Sequence, residues 1–481
     1  MDMTSGWRTI NGAVLGFGLV LGLTGASVTA HAGAARARQP ARGGTTLNLS
    51  SAGNGQTALS PYVAYIVNGH LRLRSLDSPT MRTIATPWPV TVERSGVSWS
   101  PDGASLVVSD VAHGIAVIDL ATGHTTILGS LPATAYAWSP HARYLAFLKG
   151  ATSAPDLWLW DRAQRGMRRM ARNVTLSSWI DPSAPSPWSH DGAKLAVAIG
   201  HADYQAVRIV YPTLDIIDVI HGSIRPVGHG DEASWSPDDR LLSYQHITSA
   251  GVVQAYQDEM VAPVGGGAPI RLANYSDVFT DNEWAARPHG YIFDRWLLGH
   301  DGHIARQLVP DGERVDAWGP DGRQALVQSN APYTQTPLHL SLVALTGVRA
   351  ALYATGPTSG SGADSRALYT VAWGRSGAIV AFASPPVFSA RHTATRPRLF
   401  VSAIRPGFGV GPPRAIVLPA ATSVDRLDFA QGDRDLLILV DTGTYPNRKT
   451  RLYRYAVPSG AISLMASGIT MFALQPMPQA P

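Results

Sequence analysis

From Leu59 onward the apolar residues come in short runs of four to six, each closed by a turn-forming cluster. After Gly103 the chain reads Ser105-Leu-Val-Val-Ser109, then Gly114-Ile-Ala-Val-Ile-Asp119. Ala121-Thr122-Gly123 then turns it into Thr125-Thr-Ile-Leu128. The same order returns as Tyr144-Leu-Ala-Phe147 followed by Asp156-Leu-Trp-Leu-Trp160. Short apolar runs separated by turn residues predict strands of an antiparallel meander.

A second pattern is laid over the first. An aromatic residue, usually Trp, stands before a turn of the form Ser-Pro-Asp-Gly, and an apolar strand follows. Clear copies are Trp99-Ser100-Pro101-Asp102-Gly103, Trp235-Ser236-Pro237-Asp238-Asp239 and Trp318-Gly319-Pro320-Asp321-Gly322. Trp138, Trp188 and Trp373 head weaker copies, and Trp284 and Phe429 keep the aromatic alone. In such a turn Pro presets φ, Asp bonds back to the backbone and Gly accepts positive φ. The turn residues are therefore architectural, and the Trp is expected to wedge between neighbouring units. Consecutive aromatics lie 39, 50, 47, 49, 34, 55 and 56 residues apart, close to the period of four-stranded propeller blades. The two long spacings point to inserted loops at Gly356 to Arg366 and Pro385 to Pro397.

The ends complement each other. Ile469 to Leu474 reads as a strand before a turn, and Leu59 to Ile66 as a strand after one. Together they make one blade and close a ring, which removes exposed sheet edges at the joint. The expected fold is all-β: a single β-propeller of four-stranded antiparallel blades over 59–481. Eight blades is the preferred count within a range of seven to nine, because the Trp284 unit is short.

These repeats resemble those of the TolB-like propellers, relatives of the WD-repeat propellers, and the resemblance runs from Leu59 to Pro476. It implies a propeller with a possible place in the cell envelope. TolB itself carries an α/β domain ahead of its propeller. Residues 33–58 are mostly Ala, Arg, Gly, Ser, Thr and Asn and read instead as a flexible linker.

The start of the chain adds a location. Arg8, the apolar run Ala13 to Leu23 and the small-x-small triplet Ala30-His31-Ala32 form a secretory signal peptide over 1–32. The run is too short for a comfortable membrane span, and no later segment supplies one. The chain has no Cys, which removes disulfides, thiol catalysis and Cys-ligated metal. The expected location is extracytoplasmic: secreted, or associated with a bacterial envelope, and periplasmic in a diderm. The expected state is a monomer.

The net charge is +5, and Lys149, Lys194 and Lys449 are the only lysines. The arginines are scattered rather than clustered, which excludes a nucleic-acid groove. There is no Gly-x-Ser-x-Gly elbow, no His-Glu-x-x-His and no phosphate loop. No catalytic or cofactor-binding residue is assigned. His300-Asp301-Gly302-His303 reads as a surface hairpin rather than a metal site.

One constellation offers a site. In three successive units the strand leading into the aromatic is acidic: Asp231 and Glu232, Asp281 and Glu283, and Asp316. If these strands are innermost, the acids converge on one side of the ring. Carboxylates there would take Ca²⁺ or a cationic side chain of a partner. The expected role is a binding or scaffolding propeller that recognises a protein, a peptide or an envelope glycan. The alternatives are a hydrolase or lyase acting on a carbohydrate-like polymer, which would need paired carboxyls, and a TolB-like envelope component.

Overall fold

A computed structural model of the chain describes residues 62–90, 95–110, 112–129, 135–150, 155–174, 186–200, 212–251, 254–274, 284–287, 290–310, 313–329, 339–354, 370–384, 398–405, 407–419, 423–430, 432–442 and 449–476. Among them the only regular elements are strands, gathered into nine antiparallel sheets. The expected loops at Gly356 to Arg366 and Pro385 to Pro397 lie outside the described residues.

Each sheet is a meander. The second blade runs Ser95–Trp99, Ser105–Asp110, Gly114–Asp119 and Thr125–Gly129, each strand paired with the next. First strands of successive blades touch one another: Ile469–Leu474 meets Ser95–Trp99, and Thr370–Trp373 meets Ser423–Ala430. The strand bearing the aromatic is therefore innermost, beside the axis of the ring.

The first blade is built from both ends of this region. Ile469–Leu474 pairs antiparallel with Tyr62–Val67, setting Val63 opposite Leu474 and Tyr65 opposite Phe472. Its apolar faces close the ring. Ala64, Ile66 and Leu71 pack on Leu106 and Val108 of the second blade. Val63 and Tyr65 pack on Leu437, Leu439 and Leu452 of the ninth. A buried apolar cluster fills every other joint between consecutive blades as well.

The Trp residues wedge at these joints, and the ring nitrogens of all but Trp138 reach across. Trp235 Nε1 donates to the Pro187 carbonyl at 3.0 Å, Trp188 to Ala137 at 3.0 Å and Trp99 to Ala473 at 3.0 Å. Each acceptor lies just before the corresponding aromatic, or its structural equivalent, of the preceding blade. The turns also hold themselves. Ser100 Oγ accepts from Ser105 N at 2.9 Å, Asp102 Oδ1 accepts from Ala104 N at 3.1 Å, and Gly103 takes φ +67°. Some turns also cap a neighbour: Asp239 accepts from the His190 and Asp191 N–H groups of the preceding blade at 2.7 and 2.9 Å. On the outermost strands, arginines bridge to the main chain of the next blade.

The blade count is nine, the top of the expected range rather than the preferred eight. The short Trp284 unit is a complete blade with short strands: Trp284–Arg287, Gly290–Phe293, Trp296–Leu298 and Ile304–Gln307. Trp284 is also out of step. It pairs with Phe293, whereas Trp235 pairs with Leu242 next to its turn. Ala286 opposite Tyr291 takes the place next to the turn. From its shifted position Trp284 Nε1 reaches the Ser243 hydroxyl at 3.2 Å, which in turn donates to the Ser234 carbonyl at 3.3 Å. The hydroxyl thus spans the gap that a direct bond spans elsewhere.

Candidate functional site

The fifth, sixth and seventh blades carry the acids singled out above. Asp231 opens the inner strand Asp231–Trp235, opposite Gln245, and is half-buried. Glu232 follows in a bulge with φ +52° and is also half-buried. Asp316 lies on the inner strand Glu313–Trp318 of the seventh blade and is buried, with Arg314 Nε 3.2 Å from its Oδ1. Asp281 and Glu283 fall outside the described residues.

Three further acids belong to this side. Asp258 and Glu259 sit on the strand Gln254–Pro263 of the fifth blade, and both are buried. Asp258 Oδ1 is 2.9 Å from Arg271 Nη2. Asp294 occupies the two-residue hairpin between Gly290–Phe293 and Trp296–Leu298, with φ +47°. Such Asp-led hairpin tips ordinarily face water. Here Asp294 and Arg295 are 3% and 2% exposed, because the short sixth blade sets its hairpin between its neighbours. Arg295 Nε stands 3.3 Å from Asp294 Oδ2, and its Nη2 donates to the Glu313 carbonyl at 3.0 Å.

Glu259 differs from these pairs. Both of its carboxyl oxygens are buried with no hydrogen-bond partner. Burial pushes its carboxyl well above the usual glutamate range, and the charges of Asp294 and Glu232 push it further. The structure thus brings Glu232 into one electrostatic group with Glu259 and Asp294. It sets Asp316 two blades on from Glu232, with its own arginine. The signal for Glu259 in the sequence was an Asp-Glu pair inside a run that reads as a strand. Asp294 gave none, since a short Asp-Arg hairpin reads as exposed.

Among the described residues no group of three or more His, Asp or Glu is arranged to hold a metal ion. His303 N caps on Asp301 Oδ1 at 3.1 Å and His300 packs edge-on against Tyr291, so His300 and His303 lie on a structured turn. Elsewhere the inner strands pair their charges, as with Arg426 Nε and Asp428 Oδ2 at 2.7 Å. A polar groove of about 230 Å³ lies at the joint of the first and ninth blades. Its arginines are engaged: Arg74 donates to the Met465 carbonyl at 2.7 Å, and Arg454 binds Asp435 through two nitrogens at 2.8 and 2.9 Å.

Charge is unevenly spread around the ring. Among the described residues between 231 and 354, eleven Asp and Glu face eight Arg. In the third blade, between 135 and 174, seven Arg and Lys face two Asp. The excess in 231–354 comes from the fifth blade, where six acids face two arginines, and the second blade, between 95 and 129, also has three Asp and no Arg or Lys.

No protein-family model matches the chain, and no curated protein matches it. Solved structures do. A eukaryotic initiation factor overlays with a TM-score of 0.55 at 11% identity, covering 88% of this chain and 100% of that one. TolB from Acinetobacter baumannii matches with a TM-score of 0.30 at 14% identity, over 60% of this chain and 62% of its own. The β-propeller domain of the Trilobed protease from Pyrococcus furiosus matches with a TM-score of 0.36 at 11% identity, over 85% and 99%. At such identities the likeness concerns the fold alone. The chain is a β-propeller, and its solved neighbours include TolB-like propellers. No helix among the described residues is long and apolar enough to cross a membrane.

Proposed function

We propose that this chain is an extracytoplasmic binding propeller that receives a basic protein or peptide on the acidic side of its ring. The observation that carries the reading is the local charge excess. Asp231 and Glu232 stand half-buried on the inner strand of the fifth blade, where six acids face two arginines among the described residues. A field of one sign in a concave setting steers a partner of the other sign. The Trp-Ser-Pro-Asp-Gly repeats support grouping the ring with TolB-like propellers, and the Arg8 to Ala32 segment supports export.

A carbohydrate-cleaving role would call on the same acids as general acid and base. Glu259 has the raised pKa that such an acid needs, but it is 2% exposed. Burial of that depth counts against its reaching a polymer and favours the binding reading.

The test is titration of the mature protein with a fluorescent oligo-lysine peptide, and with oligo-glutamate as the control. Oligo-lysine is expected to bind, more weakly at high salt, and Asp231→Asn with Glu232→Gln should reduce its affinity about tenfold, equivalent to about 1.4 kcal/mol. Equal binding of both peptides, or no loss in the double variant, would remove this reading. Mass spectrometry of exported protein should find a mature start at Gly33.

A further inference from the structure

We propose that the joint between the fifth and sixth blades is locked by a proton on Glu259, and that loss of this proton loosens the ring at that joint. Glu259 is opposite Gln245 on one neighbouring strand and Ala273 on the other. Val261, two residues on and so on the same side of the strand, packs with Tyr291, Phe293 and Trp296 of the sixth blade. Glu259 therefore faces into the joint, where its two oxygens are buried and unpartnered.

Among the described residues, the charged groups around it do not supply a counter-ion. Glu232 comes from the inner strand of its own blade and Asp294 from the hairpin opposite, and both carry the same sign. Arg295 is committed to Asp294 and to the Glu313 carbonyl. Arg271 is held by Asp258, which points to the other side of the strand, and Arg314 by Asp316. The Tyr291 hydroxyl donates to Asp238 Oδ2 at 2.6 Å, away from Glu259. An ionised carboxylate in that setting would be dry, without a donor and next to two other acids. A proton removes the charge. A metal ion could do so too, but no metal-holding group is present among the described residues.

The direction with pH follows. In the unfolded chain Glu259 ionises in the ordinary glutamate range. In the ring its pKa is raised. Its stabilising contribution is complete below the ordinary range and is lost as pH rises through the raised value. Glutamine is the neutral counterpart of the protonated acid, so Glu259→Gln keeps the locked state at every pH.

The experiment compares melting temperatures of the mature parent and Glu259→Gln from about pH 4 to about pH 9. The variant should match the parent near pH 4 and exceed it by about 2 °C or more at the alkaline end. Hydrogen exchange at matched pH should place the difference in peptides covering 254–263 and 290–298. Parallel melting curves would overturn the proposal, as would an exchange difference spread over all blades. If millimolar Ca²⁺ restores the alkaline parent but leaves the variant unchanged, a cation holds the joint and the proton lock is wrong. Should the variant fail to fold, carboxyl ¹³C titration of the parent decides. A Glu259 resonance that titrates in the ordinary range overturns the proposal, and one that titrates above it sustains it.

Discussion

The guanidinium of Arg225, on the outermost strand of the fourth blade, donates to the main-chain carbonyl of Val264, the first residue after the third strand of the fifth. The same bond recurs from Arg168 to Val219, from Arg306 to Leu345 and from Arg414 to Val457. Each joins one blade to the same point on the next. The preference for arginine over lysine in this chain thus has a structural use. A planar guanidinium presents several donors in a fixed fork, while an ammonium is a strongly hydrated point charge.

Arg225→Ala should lower stability by about 1.5 to 3 kcal/mol, the range for a hydrogen bond involving a charged group. Arg225→Lys should recover less than half of that loss. Chemical denaturation of the three proteins measures both steps. Full recovery by lysine would show that charge alone sufficed.

Trp235→Phe keeps most of the apolar wedge between the fourth and fifth blades but removes the donor to Pro187 O. The loss should be about 1 to 3 kcal/mol, since the carbonyl is left without its partner in a buried place. The same change at Trp138 should cost less, because its Nε1 is buried with no hydrogen-bond partner to lose. Denaturation midpoints of the two variants provide the comparison.

The acid limb of the stability curve should come from the turns. Burial works against the charges of Asp102, Asp191 and Asp238, but hydrogen bonds outweigh it. They come from Ser100 to Asp102, from Ser189 to Asp191, and from Tyr291 and Ser236 to Asp238, and all three carboxyls are held below their ordinary range. Their contribution is present above the ordinary carboxylate pKa and is lost as pH falls through the lowered values. Replacing all three with Asn should flatten the fall in melting temperature below about pH 4. The effect is opposite in direction to that of Glu259, so a pH series separates them.

Deleting Ile469 to Pro481 should abolish cooperative melting or cause aggregation, because Tyr62–Val67 loses its partner strand and becomes a free edge. Deleting only 477–481 keeps that strand and Gln475, whose side chain accepts from Tyr62 N at 3.1 Å and donates to Gly103 O at 3.0 Å. That shorter form should melt like the parent.

The turns, the wedging Trp residues and the closing strand were legible because each rests on local chemistry repeated many times. Ser100, Asp102 and Gly103 do in the ring what their types do in any such turn. The blade count was harder to read, since Trp284 stands two residues away from its expected register and its strands are only three or four residues long. The acidic side was legible in part. Asp231 and Glu232 could be placed by their distance from Trp235. Glu259 acquires its character first from its burial in the joint and then from Asp294, 35 residues later and in another blade, and no local pattern reports either.

The pairing of Tyr62–Val67 with Ile469–Leu474 also fixes an order in time. Tyr62 and Gln475 are separated by 413 positions, so among the described residues this joint is the longest-range contact to be made. Blades two to nine can each form from contiguous chain, as meanders closed locally. The ring must wait for the final strand, and loop-closure entropy and topology make such a step slow. Until then the growing protein is an open arc whose terminal faces, Val63 and Tyr65 on one side and Leu437 and Leu439 on the other, are bare and apolar. A factor that shields unfinished chains would find its target at those two faces, and its hold would end when the last strand docks.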